Sequence, residues 1–168
     1  MVSADSLAVG LLILILSVVY LLLRSRNRPQ PRYAVLDGSN ILYWRNEEPD
    51  LSAVQQVVQE IQARGWSPVI WFDANAGYLI KGRYMGAYPF SVALGVPVRQ
   101  VYVAPKGTPA DPLILDAATT LSAIVVTNDR YRDWIGQYPI VGEYGRFIRG
   151  SYRDGRLELV EPVAQMAA

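Results

Sequence analysis

The sequence predicts an α/β domain with a mostly parallel sheet covered on both faces, preceded by one transmembrane helix. Three observations carry this. Four short apolar runs recur between residues 33 and 127, with helix-spaced patterns between them; such alternation implies parallel strands joined by helical crossovers. A strand pair around an Asp-Gly turn closes the chain. An uncharged apolar run, 6–23, precedes the domain.

That run, SLAVGLLILILSVVYLLL, has no polar face. As a helix it spans roughly 27 Å, close to the thickness of a hydrocarbon core. A cleaved signal peptide would carry a basic start and a small-residue cleavage site. Here the start holds Asp5 and no Lys or Arg, and Leu21-Leu22-Leu23 runs straight into arginines. Residues 1–23 are therefore expected to form a membrane anchor. Arg24, Arg26, Arg28 and Arg32 follow it, so the positive-inside rule gives a single-pass protein of the cell membrane with its C-terminal domain in the cytoplasm. Residues 24–32 read as a basic linker stiffened by Pro29 and Pro31.

Residues 33–168 read as one domain. A first strand, 33–37 (YAVLD), ends in an acid. Asp50 is expected to cap a helix over 51–64, with Leu51, Val54, Val57, Val58 and Ile61 on one face and Gly65 closing it. A second strand, 68–72 (PVIWF), leads into Asp73. Residues 78–94 are ambiguous, because Pro89 interrupts a helix-like pattern or begins one. A third strand covers 99–104. Asp111 before Pro112 reads as the N-cap of a helix to about residue 121. A fourth strand, 123–127 (AIVVT), runs into Asn128-Asp129, and strands over 147–152 and 156–160 flank Asp154-Gly155.

Composition restricts the chemistry. The 168 residues include no histidine and no cysteine, which excludes Ser-His-Asp and Cys-His catalysis, zinc fingers and disulfides. Four of the 16 Lys+Arg fall in 24–32 and one of the 15 Asp+Glu precedes residue 33, leaving 12 against 14 in the domain, a formal −2. That is not the charge of a strongly basic nucleic-acid binder, so any such contact must come from a local patch.

Sites in parallel sheets form beyond the carboxyl ends of the strands. Asp37, Asp73 and Asp129 lie at or just after such ends, Asp111 opens a helix after the third strand, and Asp133 is four residues beyond Asp129, on the same face if a helical turn starts there. Carboxylates so placed repel unless a cation lies between them, and hard oxygen ligands favour Mg²⁺ or Mn²⁺. Plainer roles exist for each: Asp111 and Asp129 as caps, Asp133 facing solvent, Asp37 and Asp73 holding their own turns. For Asp73 the plainer role is preferred. Asn40, after Gly38 and Ser39, is a candidate to orient water or phosphate.

The pattern Val35-Leu36-Asp37-Gly38-Ser39-Asn40, then Ala110-Asp111, then Val126-Thr127-Asn128-Asp129-Arg130-Tyr131-Arg132-Asp133 resembles the NYN branch of the PIN-like nucleases, and within it the Regnase-type ribonuclease domains, over roughly residues 33–150. The resemblance implies a Rossmann-like three-layer α/β/α domain with sheet order 3-2-1-4-5 and Mg²⁺-dependent endoribonuclease activity. It carries the acidic site to Asp37, Asp111, Asp129 and Asp133, as catalytic residues and metal ligands, with Asn40 as a polar partner. Regnase-type domains have two acids where this chain has Ala110-Asp111.

Lys106, Arg130 and Arg132 are the expected phosphate contacts, with Lys81 and Arg83 as further candidates and Tyr78, Tyr84 and Tyr131 as stacking residues. The expected function is a membrane-anchored, Mg²⁺- or Mn²⁺-dependent endoribonuclease. The alternative is a non-catalytic RNA- or protein-binding module. An aspartate-nucleophile phosphatase is disfavoured, because position 39 is serine. The expected partners are an RNA substrate and a lipid bilayer through residues 6–23, with a homo-oligomer as a further option.

Overall fold

The computed structural model describes residues 13–21 and 31–160. The chain divides into two units, Met1–Pro31 and Arg32–Ala168. In the first, residues 13–21 are helical and their large apolar side chains are exposed. Among the described residues no helix is long and apolar enough to cross a membrane. The rest of the expected anchor, 1–12 and 22–23, and most of the linker, 24–30, lie outside the described residues.

In the second unit, β1 (Arg32–Asp37) leads into a single helical turn, α1 (Gly38–Ile41). Helix α2 (Leu51–Ala63) is capped by Asp50, whose carboxylate accepts from Ser52 N–H, and it buries Ala53, Val54, Val57, Val58 and Ile61 at helical spacing. Strand β2 (Trp66–Phe72) follows. The ambiguous stretch forms two helices, α3 (Ala76–Lys81) and α4 (Ala87–Leu94). Pro89 is third in α4, within the first turn, where a missing N–H loses no helical bond. After β3 (Val101–Val103) come α5 (Ala110–Thr120), β4 (Ile124–Val126), two short 3-10 turns (Arg132–Trp134 and Pro139–Gly142), β5 (Phe147–Arg153) and β6 (Arg156–Val160).

The six strands pair in the order β3-β2-β1-β4-β5-β6. This is the expected 3-2-1-4-5 order with one strand added. Every pairing is parallel except β5–β6, a hairpin whose turn residues Asp154 and Gly155 both have positive φ, 50° and 73°. Side chains alternate across the sheet. Leu36, Ile70, Phe72, Val101 and Val126 face α2 and α4 on one side, while Val35, Val69, Val125 and Phe147 face α5 and the C-terminal 3-10 turns on the other. All parallel strands thus deliver their carboxyl ends to one rim.

Two local expectations are corrected. Asp111 is not an N-cap: α5 starts at Ala110, two residues earlier than expected, Pro109 occupies the cap position, and Asp111 stands in the first turn. Nor do Asp129 and Asp133 share a helical face. Asp129 stands in irregular chain after β4, and the 3-10 turn begins only at Arg132, after Tyr131 in a left-handed conformation (φ 48°).

Candidate active site

β1 carries Asp37 to the rim, and the chain turns there at once. A Cβ on Gly38 would lie 2.6 Å from the Phe72 ring and 2.8 Å from the Trp71 carbonyl oxygen. Only glycine lets α1 pack so tightly against the end of β2. This closeness lets Ser39 Oγ accept the Asp73 N–H at 2.8 Å, which ties the ends of β1 and β2 together.

Asp37 is 6% exposed. Its Oδ1 accepts the Asn40 N–H at 3.1 Å, and its Oδ2 accepts the Thr127 hydroxyl at 2.9 Å and the Tyr131 hydroxyl at 3.2 Å. Burial pushes its carboxyl up from 3.8 to about 6; the three hydrogen bonds pull the other way, and Asp111 adds a small upward push by like charge. Burial, reinforced by Asp37, holds the Tyr131 phenol well above its ordinary range, so Tyr131 stays a proton donor to the carboxylate. At 2% exposure it cannot stack on a base, which corrects that expectation.

Asp111 projects from the first turn of α5. The indole N–H of Trp134 donates to its Oδ2 at 3.2 Å. Burial raises its carboxyl, the indole opposes the rise, and Asp129, Asp73 and Asp133 push it further up by like charge. Asp73, Asp129 and Asp133 are therefore each in electrostatic reach of Asp111, and so is Asp37. Asp129 and Asp133 are exposed. Asp129 Oδ1 holds its own turn by accepting the Tyr131 N–H at 2.7 Å, and its N–H donates to Thr127 Oγ1 at 3.0 Å.

Asp73 has a role that the sequence did not reveal. Its Oδ1 accepts the Ala110 N–H at 3.2 Å, across 37 positions of the chain. Pro109 offers no side chain to cap α5, so Asp73 caps it from β2 and fixes the turn that bears Asp111. No local signal could have found this. Asn40 spends its side-chain oxygen on the Trp44 indole (2.7 Å) and the Asn128 N–H (2.9 Å), which joins α1 to the loop after β4. The Asn128 side chain in turn pairs with both backbone groups of Gly150 in β5.

Of the expected phosphate contacts, Lys106, Arg130 and Arg132 are all exposed in loops that leave the rim. A further cation was missed. Arg149 on β5 donates to the Asn128 carbonyl at 2.6 Å. Partial burial and the neighbouring Arg130 lower its guanidinium, and Asp129 opposes this. Arg130, Arg149 and Asp129 therefore form one charged group. Lys81, Arg83, Tyr78 and Tyr84 are exposed on and after α3.

The acids offer only oxygen donors, the kind that suits Mg²⁺ or Mn²⁺. Asp111 Oδ1, Asp129 Oδ2 and both oxygens of Asp133 accept no hydrogen bond among the described residues. As the side chains stand, no three acids among the described residues converge tightly enough to ligate one ion.

Comparison with known proteins follows this geometry. Two structures of nuclear proteinaceous RNase P 2 (PRORP2) from A. thaliana share the fold. One has a TM-score of 0.60 at 23% identity, over 81% of this chain and 31% of that one. The other has a TM-score of 0.56 at 21% identity, over 94% and 36%. The chain thus spans about a third of the length of these proteins. Among curated proteins there is no match. Residues 30–144, more than half of the chain, match the family described as the Zc3h12a-like ribonuclease NYN domain, and the chain belongs to that family.

Proposed function

We propose that the domain is a metal-dependent endoribonuclease. The observation that supports this best is that Asp37, Asp129 and Asp133 each lie within electrostatic reach of Asp111 at the carboxyl edge of a parallel sheet, in a chain of a ribonuclease family. The fold shared with a proteinaceous RNase P points the same way for an RNA substrate. The donor set fits a hard divalent cation by its chemistry: Asp111, Asp129 and Asp133 keep oxygens unused, and the two exposed acids have room to swing inward. When bound, such an ion supplies electrostatic stabilisation of phosphate charge and lowers the pKa of water.

The chain's own residues do the rest. Asp37 is fixed by three donors and cannot rotate away. Trp134 and the Asp73 cap orient Asp111. Arg130, Arg149 and Lys106 hold the phosphates on either side of the scissile bond, with Arg132 beside them. A non-catalytic binding module is the second reading. The observation that favours it is that no three acids converge as they stand.

The test uses end-labelled single-stranded RNA. Cleavage should require Mg²⁺ or Mn²⁺, stop with EDTA, and fall at least tenfold in Asp111→Asn, the scale seen when a ligand or its support is lost. Cleavage that survives both chelation and that substitution would sink the site assignment. RNA binding without cleavage under any divalent ion would establish the second reading.

The apolar run 6–23 is proposed to anchor the domain in the cell membrane with residues 32–168 in the cytoplasm, as its length and the following arginines suggest. Resistance to alkaline extraction, lost on removal of residues 1–31, checks this.

A further inference from the structure

A cavity of about 590 Å³ lies against the α5 face of the sheet, beside β2 and β3. Its size falls in the range of small-molecule sites. Trp71 on β2 and Tyr102 on β3 are register partners whose rings stack at 4.8 Å and 18°. Both line the cavity as a stacked pair. Two more features are harder to explain by packing. The Trp71 indole N–H and the Gln100 side-chain oxygen are both buried and both lack a hydrogen-bond partner. An unpaired buried donor and an unpaired buried acceptor each cost free energy unless a ligand completes them. Both residues line this one cavity.

We propose that this cavity is a subsite for an unpaired nucleobase of the RNA strand. A base is planar, so it stacks on an aromatic ring, here that of Tyr102, while its edge offers an acceptor and a donor together. Those match the indole N–H and the Gln100 oxygen. Arg99 is exposed at the same cavity and takes the phosphate that follows the base. Asp116, which also lines the cavity, accepts the Tyr138 hydroxyl and disfavours a phosphate on its own side. The Trp71 end of the cavity lies nearest the acidic rim, and the cavity runs from there toward the amino ends of β1 and β2 at Tyr33 and Ser67, so it suits a base at a distance from the cleaved bond. Trp71 is two residues before Asp73 on the same strand face, and Asp116 is five residues beyond Asp111, about 7.5 Å along the helix. This inference rests on the ribonuclease reading, but base binding does not require cleavage.

The experiment uses the full-length chain in EDTA, where the two can be separated. The four nucleoside 5′-monophosphates and short unstructured RNA pentamers are titrated by calorimetry and by saturation-transfer NMR. At least one mononucleotide should bind with saturation centred on its base protons, and the pentamer containing that base should bind more tightly. Ribose 5-phosphate should not bind. Trp71→Phe keeps a ring and loses the N–H; Gln100→Leu loses the acceptor. Each should weaken binding roughly tenfold, as the loss of one buried hydrogen bond implies, while Glu158→Gln, on β6 at the opposite edge of the sheet, leaves it unchanged. If Trp71→Phe fails to fold, Gln100→Leu decides alone. Absence of binding, or binding unaffected by a folded Gln100→Leu variant, overturns the proposal. So does binding of mononucleotides but of no pentamer, which would mark a free-nucleotide site instead. Base binding that persists in a protein unable to cleave RNA with Mg²⁺ or Mn²⁺ supports the pocket and removes the ribonuclease reading.

Discussion

Replacing Asp37 by Asn should abolish cleavage and, at neutral pH, stabilise the fold. Burial raises this carboxyl from 3.8 to about 6. Between those two pH values the folded protein keeps a proton that the unfolded chain releases. Stability therefore falls as pH rises through the window, and above pH 6 the charged group costs about 3 kcal/mol, from 1.36 kcal/mol per unit. Asparagine carries no charge and escapes that cost. It introduces another, because Oδ2 of Asp37 accepts from Thr127 and Tyr131 while Oδ1 accepts from Asn40 N–H. An amide presents a donor to one of them, at roughly 1–2 kcal/mol independent of pH. The Asp37→Asn variant should thus be less stable than wild type near pH 4 and more stable near pH 8, with the difference between the two proteins changing by about 3 kcal/mol across the range. Urea unfolding at pH steps from 4 to 8, in EDTA, measures it. A difference that stays flat with pH, or that changes in the opposite direction, would refute the assignment of a buried, charge-strained carboxyl.

Two more substitutions test the scaffold. Asp73→Ala removes a side chain that caps α5 and should cost about 1 kcal/mol in urea unfolding, whereas Asp73→Asn keeps an acceptor for the Ala110 N–H and should lose much less; equal losses in the two would argue against a capping role. Gly38→Ala forces a methyl against the Phe72 ring and the Trp71 carbonyl and should destabilise by roughly 1–3 kcal/mol, with RNA cleavage falling in parallel because Asp37 moves with the turn; unchanged thermal unfolding would show that α1 has room to shift.

Much of the fold was legible before any coordinates, because its signals are local. The spacing of Leu51, Val54, Val57, Val58 and Ile61 is a property of one helix, and Asp50 caps it two residues away. Asp154-Gly155 specifies its own hairpin turn. Acids at strand ends needed only the strand pattern, since parallel strands share one carboxyl rim. The stretch 78–94 was unreadable because Pro89 is compatible with both a break and a first turn, and only the burial of Phe90, Ser91 and Leu94 decides.

The tertiary structure decided what each rim residue does. Asp37 is raised by burial in the assembled sheet, while Thr127 and Tyr131, 90 and 94 positions away, donate to it and oppose the rise. Tyr131 is interior rather than a stacking surface, because its left-handed backbone turns the ring into the core against Phe147. Asn40 bridges to Asn128 across 88 positions, and Asp73 caps a helix that starts 37 residues later. Periodicity and capping describe neighbours along the chain. Burial, like-charge repulsion and caps supplied from another strand depend on which strands end side by side, and that is set only when the sheet assembles.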